Sequence, residues 1–197
     1  MTPSTELFGR QRDVAATVEL LDRRFVTLTG AGGVGKTELA RAVAESQRGR
    51  FGGVWFCELA GVVEAGSLSD AVADEIGAVR FDDAPVATAV ASALHGRRAL
   101  LVLDNVEQVA SAAGHFIAQL LADCADLTVL VTSRQALRID SEHIRLVEPL
   151  DPETDASEMF RARARLERPD IDPSSDDDAI RQICRTLDGL PLAIELA

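Results

Sequence analysis

The chain has 197 residues, of which 47% are hydrophobic and 26% charged, and its net charge is −12. These proportions are globular and exclude a disordered, collagen-like or disulfide-scaffold class, and no apolar run approaches the about 18 residues of a spanning helix. The negative charge argues against direct binding of this chain to nucleic acid or to an anionic membrane. Cys57, Cys124 and Cys184 fit neither a zinc spacing nor a disulfide framework. That cysteine usage makes a reducing cytoplasm the expected compartment, and the first six residues lack the basic and apolar regions of a secretory signal.

Val14, Val18 and Leu21 recur at helical spacing and predict the first helix. Phe25 to Thr29 reads as a strand, followed by a glycine loop and a helix carrying Leu39 and Val43. Val54 to Leu59 is the next strand. Leu68, Val72 and Ile76 predict a helix with Ser67 as its N-cap, and Pro85 opens another carrying Val86, Val90 and Leu94. Ala99 to Leu103 is a buried strand ending at Asp104. Phe116, Ile117, Leu120 and Leu121 form one helical face before Cys124. Leu127 to Thr132 and Ile144 to Val147 complete five strands, whereas Pro191 breaks the run Leu190 to Leu192. Strands that alternate with helices predict a parallel sheet covered on both faces.

The composition changes near residue 150, where Pro149 and Pro152 interrupt the chain. Ten acidic residues and four arginines lie between Asp151 and Asp178. Ser175 reads as an N-cap, with Asp176, Asp177 and Asp178 on the positive end of a helix that turns Ile180, Ile183 and Leu187 inward. An acidic metal cluster is the alternative. Gly189 stops that helix and Pro191 sits at the first position of the next. The expected organisation is a nucleotide-binding domain over residues 1–150 and the start of a truncated helical domain over 151–197.

Gly30-Ala31-Gly32-Gly33-Val34-Gly35-Lys36-Thr37 matches the phosphate-loop pattern in full, between a strand and a helix. Its glycines let backbone N–H groups converge on phosphate oxygens, and the following helix adds its positive end. Lys36 is the only lysine among 20 basic residues. It would reach the β- and γ-phosphates and is expected to face solvent, while Thr37 offers a hydroxyl to Mg²⁺. Asp104 ends the hydrophobic strand where a magnesium-holding carboxylate belongs. Asn105 stands where many fast ATPases carry an acid; it can orient water but accepts no proton, so hydrolysis is expected to be slow. Glu107 reads as a helix-start glutamate, with a role on the attacking water as the alternative. Arg134 follows a strand whose end would lie beside the phosphates. His95, His115 and His143 read as structural or surface residues.

In order, Leu7-Phe8-Gly9-Arg10, the loop Gly30 to Thr37, Leu103-Asp104-Asn105, Thr132-Ser133-Arg134 and Gly189-Leu190-Pro191-Leu192-Ala193 resemble the NB-ARC-like branch of STAND-class signalling ATPases. The sequence is most similar to the version in bacterial transcriptional regulators with LuxR-type or SARP-type DNA-binding domains. The resemblance implies a three-layer α/β/α P-loop NTPase of the ASCE type, with a parallel five-stranded sheet of order 5-1-4-3-2, followed by a partial helical lid. It implies ADP at rest, exchange for ATP on activation, transmission by lid rotation, and self-association. Phe8 and Arg10 would border the adenine, Arg134 would sense the γ-phosphate, and Pro191 would close over the base. Asp13 stands where the family element commonly carries glutamate.

The candidate nucleotide contacts are thus Phe8, Arg10, Gly30, Ala31, Gly32, Gly33, Val34, Gly35, Lys36, Thr37, Glu38, Arg134 and Pro191. Thr37 and Asp104 are the candidate Mg²⁺ ligands, and Lys36, Asp104, Asn105 and Arg134 the candidate catalytic set. Two other readings stay open. One is an AAA+-like motor. The other is a small-molecule kinase, for which Arg161, Arg163, Arg165 and Arg168 would clamp the acceptor, although a solvated or interface face accounts for them more simply. A GTPase would need a second lysine to read guanine.

Overall fold

The computed structural model describes residues 7–80, 84–167 and 176–197. The readings at the first six residues, Arg168 and Ser175 lie outside them. The five strands are β1 (Phe25–Thr29), β2 (Gly53–Glu58), β3 (Ala99–Asp104), β4 (Leu127–Ser133) and β5 (His143–Leu146). Their order is β2-β3-β4-β1-β5, and all four pairings are parallel. This is the expected order 5-1-4-3-2, seen from the other edge.

The two faces follow from strand alternation. In β3, Leu100 and Val102 join one buried cluster, while Ala99, Leu101 and Leu103 join the other. Both sets are apolar because both faces are covered. Helices α1 (Gln11–Leu20) and α2 (Lys36–Ser46) cover the first face, with Leu39, Ala40 and Val43 fully buried. Helices α3 (Ala65–Ile76), α4 (Val86–Leu94) and α5 (Ala110–Asp123) cover the second, through residues such as Leu68, Val90 and Ile117. The result is a three-layer α/β/α fold. Ser67 is not the N-cap of α3: the helix starts two residues earlier, capped by Glu64, whose carbonyl accepts the Ser67 N–H at 3.0 Å.

A third buried cluster lies after β5. Leu150, Ala156, Met159, Ile180, Cys184 and Ile194 join helices α6 (Asp155–Glu167), α7 (Asp177–Thr186) and α8 (Pro191–Glu195), with Phe8 packed against them. Cys184, rather than the expected Ile183, faces inward; Ile183 is 38% exposed. At about 100° per residue, position 184 lies about 40° from Ile180 and position 183 about 60° away on the other side. The buried stripe therefore runs from Ile180 towards Cys184, which is fully buried, and leaves Ile183 on its outer edge. Gly189 ends the turn after α7 with φ +62°, its N–H donating to the Cys184 carbonyl at 2.9 Å, and Pro191 starts α8 at its first turn, as expected.

All three cysteines are buried and free. Burial pushes the Cys57 thiol up to about 12, which keeps it inert. Among the described residues no helix is long and apolar enough to cross a membrane, and no group of three or more His, Cys, Asp or Glu is placed to hold a metal. In place of an acidic metal cluster, Asp177 pairs with Arg161 and Asp178 with Arg181. The three histidines each approach only a backbone carbonyl.

Candidate functional site

The carboxyl ends of β1, β3 and β4 lie side by side, the position at which open parallel sheets bind ligands. β1 delivers the glycine loop, β3 delivers Asp104 and Asn105, and β4 delivers Thr132 to Arg134. A cleft of about 360 Å³ opens there. Its floor is Gly32, Gly33, Gly35, Lys36, Thr37 and Glu38. Asn105, Glu107, Thr132 and Arg134 close one end. Leu7, Phe8, Leu150, Met159, Pro191 and Leu192 make an apolar wall at the other, with Glu195 beside them.

The loop owes its shape to positive φ at Gly30, Gly33 and Gly35. At Gly30 a Cβ would sit 2.6 Å from the Val147 carbonyl oxygen, so no larger residue fits. Gly30, Ala31 and Val34 do not line the cleft. The carbonyls of Gly30 and Ala31 accept hydrogen bonds from Lys36 Nζ at 3.0 and 2.9 Å, and the Val34 side chain is fully buried below. Lys36 is therefore half-buried rather than solvent-facing, because these carbonyls attract its ammonium. Burial is the main force lowering its pKa; the nearby charge of Arg134 acts the same way, while Glu107 and Asp104 oppose it.

Asp104 is buried beneath the loop. Its two oxygens accept from Thr37 Oγ1 at 2.9 and 3.0 Å, and one also accepts from Thr132 Oγ1. A hydroxyl and a carboxylate meeting at the start of α2 are a hard-oxygen pair of the kind that holds Mg²⁺ together with substrate phosphates. Thr132 was not among the candidates, yet it also accepts the Asn105 N–H at 2.9 Å and so ties β3 to β4 at the site.

Arg134 borders the cleft and donates from Nε to Glu107 Oε1 at 3.1 Å. Glu107 does start a helical turn, Val106–Val109, as its simpler reading held, but its side chain also lines the cleft. Asn105 causes this. Its left-handed backbone, φ +65°, redirects the chain immediately after β3.

Phe8 and Arg10 both reach the cleft, but Arg10 has a structural commitment as well. It is only 6% exposed, and its guanidinium donates to Asp13, to the Val34 carbonyl and to the Glu148 carbonyl at 2.7 to 2.9 Å. Asp13 also accepts from Arg145. Burial works against the Asp13 charge, but the two arginines together outweigh it and hold the carboxyl below its usual range. Arg10 thus fastens the N-terminal segment to the glycine loop and to the chain after β5. Arg10→Met is expected to cost about 2 kcal/mol by leaving two carbonyls without a donor, a fall in Tm of about 4–8 °C. A thermal melt unchanged within about 1 °C would refute this clamp.

The contact across the top of the site was not foreseen. The Leu192 N–H donates to the Gly33 carbonyl at 3.2 Å, and Pro191 lies against Gly35. The Gly-Leu-Pro-Leu-Ala element thereby rests directly on the phosphate loop. Leu192 directly follows Pro191 in that element, the one signal that could have marked it.

Fold and cleft together define a P-loop nucleotide-binding domain. The profile of the NB-ARC domain matches residues 11–147, and the chain belongs to that family. An uncharacterised Mycobacterium tuberculosis protein is 36% identical over 98% of this chain and 50% of its own length. Another M. tuberculosis protein, provisionally named an HTH-type transcriptional regulator, is 35% identical over 90% of this chain and 20% of its own length. The chain thus spans half or less of these curated relatives. Among solved structures, the STAND protein with a tetratricopeptide repeat sensor from Pyrococcus horikoshii superposes with a TM-score of 0.57 at 18% identity, over 99% of this chain and 30% of that one. The Aeropyrum pernix ORC1 protein, solved in complex with DNA, does so with a TM-score of 0.69 at 17% identity, over 95% and 58%. At these identities the superpositions speak for the fold alone.

Proposed function

We propose that this chain is the adenine-nucleotide switch of a transcriptional regulator, holding ADP at rest and ATP when active. Residues 1–150 form its nucleotide-binding domain and 151–197 belong to its helical lid. The carrying observation is the hydrogen bond from Leu192 to Gly33, because it ties the C-terminal helices to the loop that would hold the phosphates. Any change of phosphate occupancy at Gly33 to Thr37 then bears on where those helices sit.

Lys36 and the loop N–H groups bind the phosphates. Thr37 and Asp104 hold Mg²⁺, which neutralises phosphate charge when bound. The apolar wall of Phe8, Leu150, Met159 and Pro191 takes the base. Hydrolysis is slow because the residue after Asp104 is an amide and Glu107, the next acid along the chain, is engaged by Arg134. The compartment is cytoplasmic, and self-association on activation belongs to the longer regulator. A small-molecule kinase is disfavoured, since Arg161 and Arg163 are engaged by Asp177 and Glu195 within the C-terminal helices.

The test is chromatography of the nucleotide released when freshly purified protein is denatured. About one ADP per chain is the expected result, as a closed site releases its ligand slowly. ATP alone, or no nucleotide together with no binding of added ADP, would overturn the resting-ADP switch.

A further inference from the structure

Of the three glutamates that line the cleft, Glu38, Glu107 and Glu195, it is Glu107 that pairs with Arg134. Glu107 is largely shielded, 21% exposed, and lies at the end where β3 and β4 emerge. The Asn105 amide, oriented to donate, has its nitrogen 2.8 and 3.0 Å from the two Glu107 oxygens. Two neighbours thus fix this carboxylate. Arg134, by contrast, is 68% exposed and pairs with Glu107 at 3.1 Å. At that exposure its guanidinium is free to swing off the pair, and Arg134, Glu107, Ser133 and Gln135 together line a second cavity of about 360 Å³.

We infer that Glu107 sets the preference of the site for a nucleoside diphosphate over a triphosphate, by holding Arg134 and by opposing a third phosphate. This rests on the proposed reading of the cleft, in which Arg134 lies at the γ-phosphate end. A diphosphate leaves the Arg134–Glu107 pair intact. A γ-phosphate brings further negative charge beside a fixed carboxylate and competes for the same guanidinium, which forms stronger bidentate bonds to phosphate. Both effects act on the triphosphate alone. The field of Glu107 reaches the phosphate loop, since it is the largest of the charges that counter the fall in the Lys36 pKa. A carboxylate so engaged is poorly placed to serve as a base for water, and the two roles separate cleanly. A base alters the hydrolysis rate, whereas this role alters equilibrium affinity for an analogue that is not hydrolysed.

The experiment is calorimetric titration of nucleotide-stripped protein with ADP and with the β,γ-imido analogue of ATP, for Glu107→Gln and Arg134→Ala. Glu107→Gln is expected to strengthen the analogue about tenfold relative to ADP, whose own affinity moves less than about threefold. Arg134→Ala is expected to weaken the analogue and spare ADP. If Arg134→Ala discriminates as stated but Glu107→Gln leaves the ratio unchanged, the role of Glu107 is refuted and the cleft reading stands. If Arg134→Ala weakens both ligands equally, the γ-phosphate end is misassigned and both readings fall.

Discussion

Lys36→Ala is expected to weaken both ADP and ATP by at least about 100-fold, because two charge-assisted bonds to phosphate are worth about 3 kcal/mol or more together. The fold is expected to survive. Lys36 opens α2 at the cleft, and its ammonium touches only the Gly30 and Ala31 carbonyls. The buried side of that helix is carried by Leu39, Ala40, Val43 and Ala44. Burial already disfavours the Lys36 charge, so its removal relieves a desolvation cost and changes Tm by only about 2–4 °C. Arginine is the basic residue used at every other position, yet Lys36→Arg is expected to bind poorly too. The planar guanidinium is bulkier than an ammonium seated on two loop carbonyls. Calorimetry with each nucleotide, beside a far-UV circular dichroism melt, reads both halves. Unchanged affinities in Lys36→Ala would sink the assignment of the cleft.

Much of this was legible in the residues. The inner strands β1, β3 and β4 were visible as apolar runs, because the middle of a parallel sheet covered on both faces requires uninterrupted hydrophobicity, whereas the edge strand β5 alternates and leaves Ile144 and Leu146 55% and 61% exposed. The loop was legible because close backbone approach to phosphate restricts the chain to glycines at fixed spacing. What escaped is of a different kind. Glu107 looks like any first-turn glutamate until Asn105 is known to be left-handed, a backbone state that the sequence does not announce. The inward choice of Cys184 over Ile183 depends on a few tens of degrees of helix rotation, which the packing of α6 and α8 decides. Arg10 was placed at the cleft, but its hold on Val34 and Glu148 spans up to 138 positions in sequence and has no local signature. The contact of Leu192 with Gly33 is equally long-range.

That last contact leads to the other large effect. Gly189→Ala is expected to uncouple the C-terminal helices from the phosphate loop while the sheet stays folded. Asp188 and Gly189 are both left-handed, with φ +52° and +62°, and they reverse the chain between α7 and α8. A Cβ on Gly189 would lie 2.0 Å from the Leu150 carbonyl oxygen, and that atom is backbone held in place. The Leu150 N–H donates to the Gly189 carbonyl at 3.0 Å, so the clash and the hydrogen bond involve the same pair of residues. The left-handed penalty of about 1–2 kcal/mol and the forced shift of Leu150 together cost about 3 kcal/mol. The strain falls on the turn that seats Pro191 and Leu192. The sheet itself is expected to stay folded, since its buried clusters share no residue with the third one and only Leu190 of the strained turn packs against them. ADP affinity is therefore expected to drop about tenfold or more, with the melt splitting so that a minor helical transition precedes the main one. A variant that binds ADP as tightly as the parent would show that the helices beyond Leu150 do not help to hold the nucleotide. An unsplit melt with weakened binding would instead show that these helices and the sheet unfold as one unit.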